Sequence, residues 1–326
     1  MEGPIFTISL DFELHWGRFD KYPVEKYLSY YSETRKVIPK ILELFEKYGV
    51  HATWAAVGGL MAENVEEWRH YSPKVLPSYE DKGFSAYSWL DSQKEIFPET
   101  LFAPQLVKEI LLTKGQELGC HTYAHYYTCE KGQELAQFRA DLKAAQNLAE
   151  QKFNTKLESL VFPRNQYDPQ VLQVAWEEGF KTLRSNPADW FWKHTEERSF
   201  VKRLFRTGDT LIPLGKDSFY PLPEANADEG PVLLPTSRLL RPYVGNRISH
   251  LQRFSRIKSE MQRTAEKGMV YHLWWHPHNF GHFPEQNLQY LEELLVFFEG
   301  LREEYGMKSL NMKETAELVR GFGMER

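Results

Sequence analysis

Cysteine is scarce in this chain: Cys120 and Cys129 are the only two among 326 residues. Two cysteines cannot build a disulfide framework, and no Asn-x-Ser/Thr acceptor occurs. Both absences fit a reducing compartment. The opening Met1-Glu2-Gly3-Pro4 lacks the basic stretch and apolar run of a secretory signal. No uncharged apolar segment approaches the roughly 18–20 residues of a membrane helix. The expectation is therefore a cytoplasmic protein without a membrane span. A positive charge excess is missing too. The net charge is −5, which argues against broad binding to nucleic acid or anionic membranes, since either favours a basic face. No short internal repeat is evident.

What is present is a core. Hydrophobic residues make up 42% of the chain, and the length suits one large barrel or two ordinary domains. An apolar run over 5–10 opens it as a strand. Over 33–48, Val37, Ile41, Leu44 and Phe45 recur on one helical face. Gly49 follows as a C-terminal cap, and then a strand-like run over 51–57. The same order of helix, glycine and strand returns at 169–178, Gly179 and 180–183. It returns again at 251–267, Gly268 and 269–275, and at 285–305, Gly306 and 307–310. Further strands are expected over 117–120, 157–162 and 232–234. Alternating strands and helices imply a mostly parallel sheet, open or closed.

Polar residues collect where these strands end. Asp11 and Glu13 follow the first strand, His121 the strand at 117–120, Arg164 the strand at 157–162, and His276 the strand at 269–275. Four clusters at four strand C-termini suit an active site on the C-terminal face of a βα barrel. Alternation puts Asp11 and Glu13 on one side and Phe12 on the other. In His121-Thr122-Tyr123-Ala124-His125 both rings lie on one side of the backbone if the segment is helical or tightly turned, whereas in an open loop the spacing means little. Two carboxylates with two histidines supply three ligands for a divalent ion and leave one carboxylate free as a base.

These residues resemble the polysaccharide deacetylase (NodB-like) family, carbohydrate esterase family four. The resemblance implies an α/β fold, a distorted (β/α) barrel of seven or eight strands, and removal of acetyl groups from N-acetylated sugars with a divalent metal, zinc first. The family motif H-[S/T]-x-x-H matches His121, Thr122 and His125, which makes the two histidines metal ligands. Its T-F-D-D motif is similar to Ser9-Leu10-Asp11-Phe12-Glu13, with Asp11 as general base and Glu13 as third ligand. The motif arginine matches Arg164 in Phe162-Pro163-Arg164-Asn165-Gln166, implied to hold Asp11. Asp189-Trp190 resembles the motif in which Asp189 tethers that arginine. Leu273-Trp274-Trp275-His276 extends the final Leu-x-His motif and makes His276 the general acid. The motifs keep the family's order from residue 5 to about residue 280.

The resulting expectation is a single catalytic domain over 1–326, with long loops at 62–103 and 186–230. Long loops in compact domains are usually functional. Their aromatic residues, Trp89 and Trp190 above all, suit stacking on sugar rings, and His278 suits a substrate contact. Many of the other aromatics serve to pin the loops down. Deep loops favour a short or terminal sugar over a long polymer. The expected partner is an N-acetylated saccharide. A second reading is another C–N hydrolase on the same scaffold, opening a cyclic amide or imide. A third is a carbohydrate-binding protein without catalysis.

Overall fold

The computed structural model describes residues 3–187, 189–192, 200–209, 218–223 and 230–324. At its centre is β1 (Ile5–Phe12), buried along its whole length. Such a strand needs cover on both faces and a partner on each edge. On one side of β1 lie in turn β2 (Ala52–Ala56), β3 (Gln116–Cys120), β4 (Ser159–Leu160), β5 (Thr182–Ser185) and β6 (Val232–Pro235). On the other side lie β8 (Val270–Trp275) and then β7 (Arg238–Leu239), while β9 (Lys308–Ser309) pairs with the start of β1. Every one of these pairings is parallel.

β6 and β7 stand at opposite ends of that order, yet only Thr236 and Ser237 separate them along the chain. The same stretch of chain pairs first with β5 and then with β8. This curls the sheet into a nearly closed ring, the distorted (β/α) barrel expected from the sequence.

The helices are α1 (Leu28–Lys47), α2 (Val65–Tyr71), α3 (Ala86–Ser92), α4 (Pro104–Leu112) and α5 (Leu135–Phe153). They continue with α6 (Pro169–Glu177), α7 (Phe200–Gly208), α8 (Arg247–Lys267), α9 (Pro284–Tyr305) and α10 (Met312–Met324). Gly49, Gly179, Gly268 and Gly306 all have positive φ, as caps that end helices require. The span 62–103, expected as loop, carries α2 and α3, each only seven residues long. Much of the span 186–230 lies outside the described residues.

Alternation along β1 divides the core. Phe6 points outward and packs on Phe298 of α9, ring centroids 5.0 Å apart. Thr7 points inward, 3.2 Å from Thr315 of α10. Met312, Ala316 and Val319 of α10 pack with Ala55, Val161, Val232 and Leu234. That helix fills the interior near the strand starts and leaves the strand C-termini free for chemistry.

Candidate metal centre

β1 ends at Phe12 and the chain turns at once through a 3-10 helix, Leu14–Gly17, so Glu13 stands at the top of the central strand. Gly17 makes room for its carboxylate. A Cβ at that position would lie 2.0 Å from Glu13 Cδ and 2.1 Å from Oε1. The buried carboxylate faces two imidazoles: Oε2 is 3.3 Å from His121 Nε2 and 3.2 Å from His125 Nε2.

Both rings reach one oxygen because the segment after β3 is sharply bent, with φ 63° at Thr122 and 54° at His125. Such conformations cost a non-glycine residue about 1–3 kcal/mol and persist only where the surroundings hold them. Here α5 does so: the Asp141 carboxylate accepts the Tyr123 N–H at 2.6 Å and the Ala124 N–H at 3.2 Å. Thr122 Oγ1 accepts the Tyr126 N–H at 2.7 Å. After β2, the Gly58 and Gly59 N–H groups donate to the carbonyls of Thr122 and Tyr123. A Cβ on Gly58 would meet Tyr123 Cα at 2.9 Å, so only glycine allows this approach.

His121 Nδ1 lies 2.8 Å from the Val161 carbonyl oxygen. In the neutral ring that nitrogen carries the hydrogen, and Nε2 presents a lone pair to Glu13. A lone pair facing a carboxylate oxygen is repulsive unless a cation sits between them. Two donors each about 2.1 Å from a tetrahedral zinc ion are about 3.4 Å apart. The Glu13–His121 and Glu13–His125 separations match that spacing. The three donor atoms lie within 4.8 Å of one another. Burial pushes the His125 pKa down despite the opposing pull of Glu13, keeping that ring neutral and able to act as a ligand. The residues present fit a divalent ion.

Beside this trio lies Asp11, on the same face of β1. Arg184 of β5 grips both its oxygens, Nη1 to Oδ1 and Nη2 to Oδ2 at 2.8 Å. The guanidinium also donates to Asn165 Oδ1 at 3.0 Å and Ser9 Oγ at 3.2 Å. Ser9 Oγ is 2.9 Å from His272 Nε2, and His272 Nδ1 is 3.1 Å from the Pro235 carbonyl. The protons run in one direction: His272 Nδ1–H donates to Pro235, Ser9 O–H donates to His272, and Arg184 donates to Ser9. Burial raises the Asp11 pKa, but Arg184, His276 and His121 outweigh it and hold the group below the usual carboxylate value. Burial likewise raises Glu13, where opposing influences led by His276 bring the net shift well below the usual value. His276 Nε2 stands 3.6 Å from Asp11 Oδ2 and 3.6 Å from Glu13 Oε1. Its side chain is 26% exposed, against 5% or less for Asp11, Glu13, His121 and His125.

Residues 18–183, more than half of the chain, match the family described as polysaccharide deacetylase. The chain belongs to the polysaccharide deacetylase family. No curated protein matches the sequence. Among solved structures, a putative polysaccharide deacetylase from Mycobacterium smegmatis is similar at TM-score 0.63 and 14% identity, over 99% of this chain and 92% of that one. A probable polysaccharide deacetylase from Pseudomonas aeruginosa PAO1 is similar at TM-score 0.57 and 13% identity, over 96% and 89%. Puue allantoinase is similar at TM-score 0.54 and 13% identity, over 96% and 88%. At such identities the likeness speaks for the fold.

Within this polysaccharide deacetylase-family chain, Asp11, Glu13, His121, His125 and His276 come together at the strand ends. His278 joins them, its Nε2 3.9 Å from Glu13 Oε1. Arg164 does not hold Asp11. It sits in a turn at φ 57°, with its guanidinium directed to Glu130 at 2.8 Å, to Asp20, and over the Tyr127 ring at 3.8 Å. Asp189 does not tether Arg164, whose acidic partners are Glu130 and Asp20; the Asp189 carbonyl accepts the Trp192 N–H. Trp89 packs in tilted and edge-on contacts against His15, Trp16 and Phe19. Trp190 is 51% exposed and packs on Phe191 and Phe205. The residue that sequence reasoning missed is Arg184. In the sequence it is only a basic residue one position past where the strand over 180–183 was expected to stop.

Proposed function

We propose that this chain is a divalent-metal-dependent hydrolase that removes the N-acetyl group from an N-acetylated saccharide, with zinc the first candidate ion. The observation that carries this reading is the Glu13, His121 and His125 trio, whose separations suit one ion and whose His121 tautomer leaves Nε2 free for it. A divalent ion held by Glu13, His121 and His125 would supply Lewis acidity toward an acyl oxygen and toward water at neutral pH.

The remaining roles belong to side chains. Asp11, kept ionised by the Arg184 fork, accepts the proton of the attacking water as general base. An amine leaves poorly unless protonated. His276, within reach of both carboxylates and open to substrate, delivers that proton as general acid. His278 borders the same cleft, and the exposed indole of Trp190 offers a sugar-stacking face.

A second reading is hydrolysis of a cyclic amide. It draws on the Asp11-Phe12-Glu13 spacing, which departs from the family's paired aspartates, and on the likeness to a fold relative named an allantoinase. Acetate release from a panel of N-acetyl sugars, run beside ring opening of cyclic ureides, separates the two. Acetate release that is abolished by chelation supports the proposal. Ring opening without acetate release replaces it.

A further inference from the structure

Between the ends of β5, β7 and β8 and the face of α8 lies an open cleft in which four arginines converge: Arg238, Arg241, Arg253 and Arg256. Two of them are neutralised. Arg238 makes a fork to Glu260, with Nε–Oε2 2.9 Å and Nη2–Oε1 2.8 Å, and also reaches Asp209. Arg256 lies 3.0 Å from Glu260 and 3.3 Å from Asp209. Both nearby carboxylates are thereby engaged.

Arg241 and Arg253 have no acidic partner among the described residues, and the Nε of each is buried without a hydrogen-bond acceptor. Burial, and for Arg241 the charge of Arg253 beside it, pushes both guanidinium pKa values down. Two partly buried like charges facing one cleft repel each other, and a multivalent anion between them would relieve that repulsion. The planar donor fork of arginine matches phosphate oxygens two at a time.

The cleft is tied to the reaction centre through Trp274, which lines it. The same indole carries Arg184 over its ring at 4.4 Å and lies 5.7 Å, centroid to centroid, from His276. An anion at Arg241 and Arg253 would thus sit one indole away from Asp11 and its general acid.

We infer that this cleft binds the phosphate of the substrate, so that the saccharide deacetylated here carries a phosphoryl group rather than being a neutral polymer. This rests on the deacetylase reading above and narrows its substrate class. The phosphate can come from a nucleotide or from a lipid carrier; both present the same oxygens to Arg241 and Arg253.

The test is calorimetric titration with N-acetylglucosamine 1-phosphate and, beside it, the neutral methyl glycoside of N-acetylglucosamine. The wild type, Arg241→Gln/Arg253→Gln, the single Arg253→Gln variant and Glu13→Ala are compared, with circular dichroism to establish that each is folded. The phosphate-bearing sugar is expected to bind the wild type at least tenfold more tightly than the neutral one. That advantage is lost in the double variant, reduced in Arg253→Gln, and kept in Glu13→Ala, where the metal trio is broken but the cleft is intact. No preference in the wild type, a preference that survives in the double variant, or one that disappears in Glu13→Ala overturns the inference. If the preference behaves as expected while no N-acetyl compound releases acetate, the phosphate cleft stands and the deacetylase reading falls. Parallel titrations with a uridine diphosphate-linked sugar and a polyprenyl phosphate-linked sugar in micelles identify the carrier.

Discussion

Arg184 and Asp11 form a buried two-pronged ion pair that joins β5 to β1 across the barrel interior, with side chains 0% and 5% exposed. Removing one partner of such a pair strands the other, at a cost of about 3–5 kcal/mol. Arg184→Gln is therefore expected to lower stability by that order. It also removes the main influence that keeps Asp11 ionised. The acidic limb of the pH–rate profile should move to higher pH, because Asp11 then protonates more easily. Arg164→Gln, which breaks contacts to Glu130 and Asp20 instead, should leave that limb in place. Profiles of the two variants measured side by side decide which arginine serves Asp11.

Gly17 and Glu13 give a second prediction. A methyl group at position 17 occupies the space of the Glu13 carboxylate. Gly17→Ala is expected to cut metal affinity at least tenfold, comparable to the roughly 10–100-fold effect of disturbing groups that orient a ligand. The overall fold should persist, since Gly17 lies in a 3-10 turn above the sheet. Metal titration together with far-ultraviolet circular dichroism checks this. Unchanged affinity would mean that Glu13 does not need its observed position.

Asp141 gives a third. Burial raises its pKa to about 7, against the opposing effect of the Tyr123 and Ala124 N–H donors. An unfolded aspartate titrates near ~3.9, so between these values the folded chain holds a proton that the unfolded chain has released. The contribution to stability is complete below about pH 4 and is lost as pH rises through the folded value. Wild-type stability should therefore fall between pH 5 and pH 8 by a component on the order of 2–4 kcal/mol, which Asp141→Asn lacks. Urea denaturation of both proteins at the two pH values measures it. Parallel pH dependences would show that Asp141 titrates normally.

His276 gives a fourth. Loss of a general acid typically costs about 10²–10⁴ in rate. His276→Gln should show that loss for amide substrates and a much smaller one for an acetyl ester whose leaving group is a good one. Equal losses on both would remove it from the acid role.

Much of this was legible in the sequence, and the exceptions have physical causes. β1 and the His121 to His125 segment could be read because an apolar run ending in carboxylates, and two histidines four apart, are local patterns. The barrel could be read from repeated helix, glycine and strand. Arg184 could not, because its partner lies 173 positions away and no local spacing marks it. Gly17, Gly58 and Asp141 act through space on residues they do not adjoin. Arg164 misled because its motif position matched while its backbone, at φ 57°, turns the side chain toward Glu130 and Asp20. The helices within 62–103, seven residues each, are too short for their periodicity to stand out against the flanking loop sequence.

The central claim is that Glu13, His121 and His125, and not Asp11, hold one divalent ion. Zinc stoichiometry by elemental analysis of the wild type, Glu13→Ala and Asp11→Asn tests it most directly. The account predicts one ion per chain in the wild type and in Asp11→Asn, and none in Glu13→Ala. Retention in Glu13→Ala with loss in Asp11→Asn would contradict it.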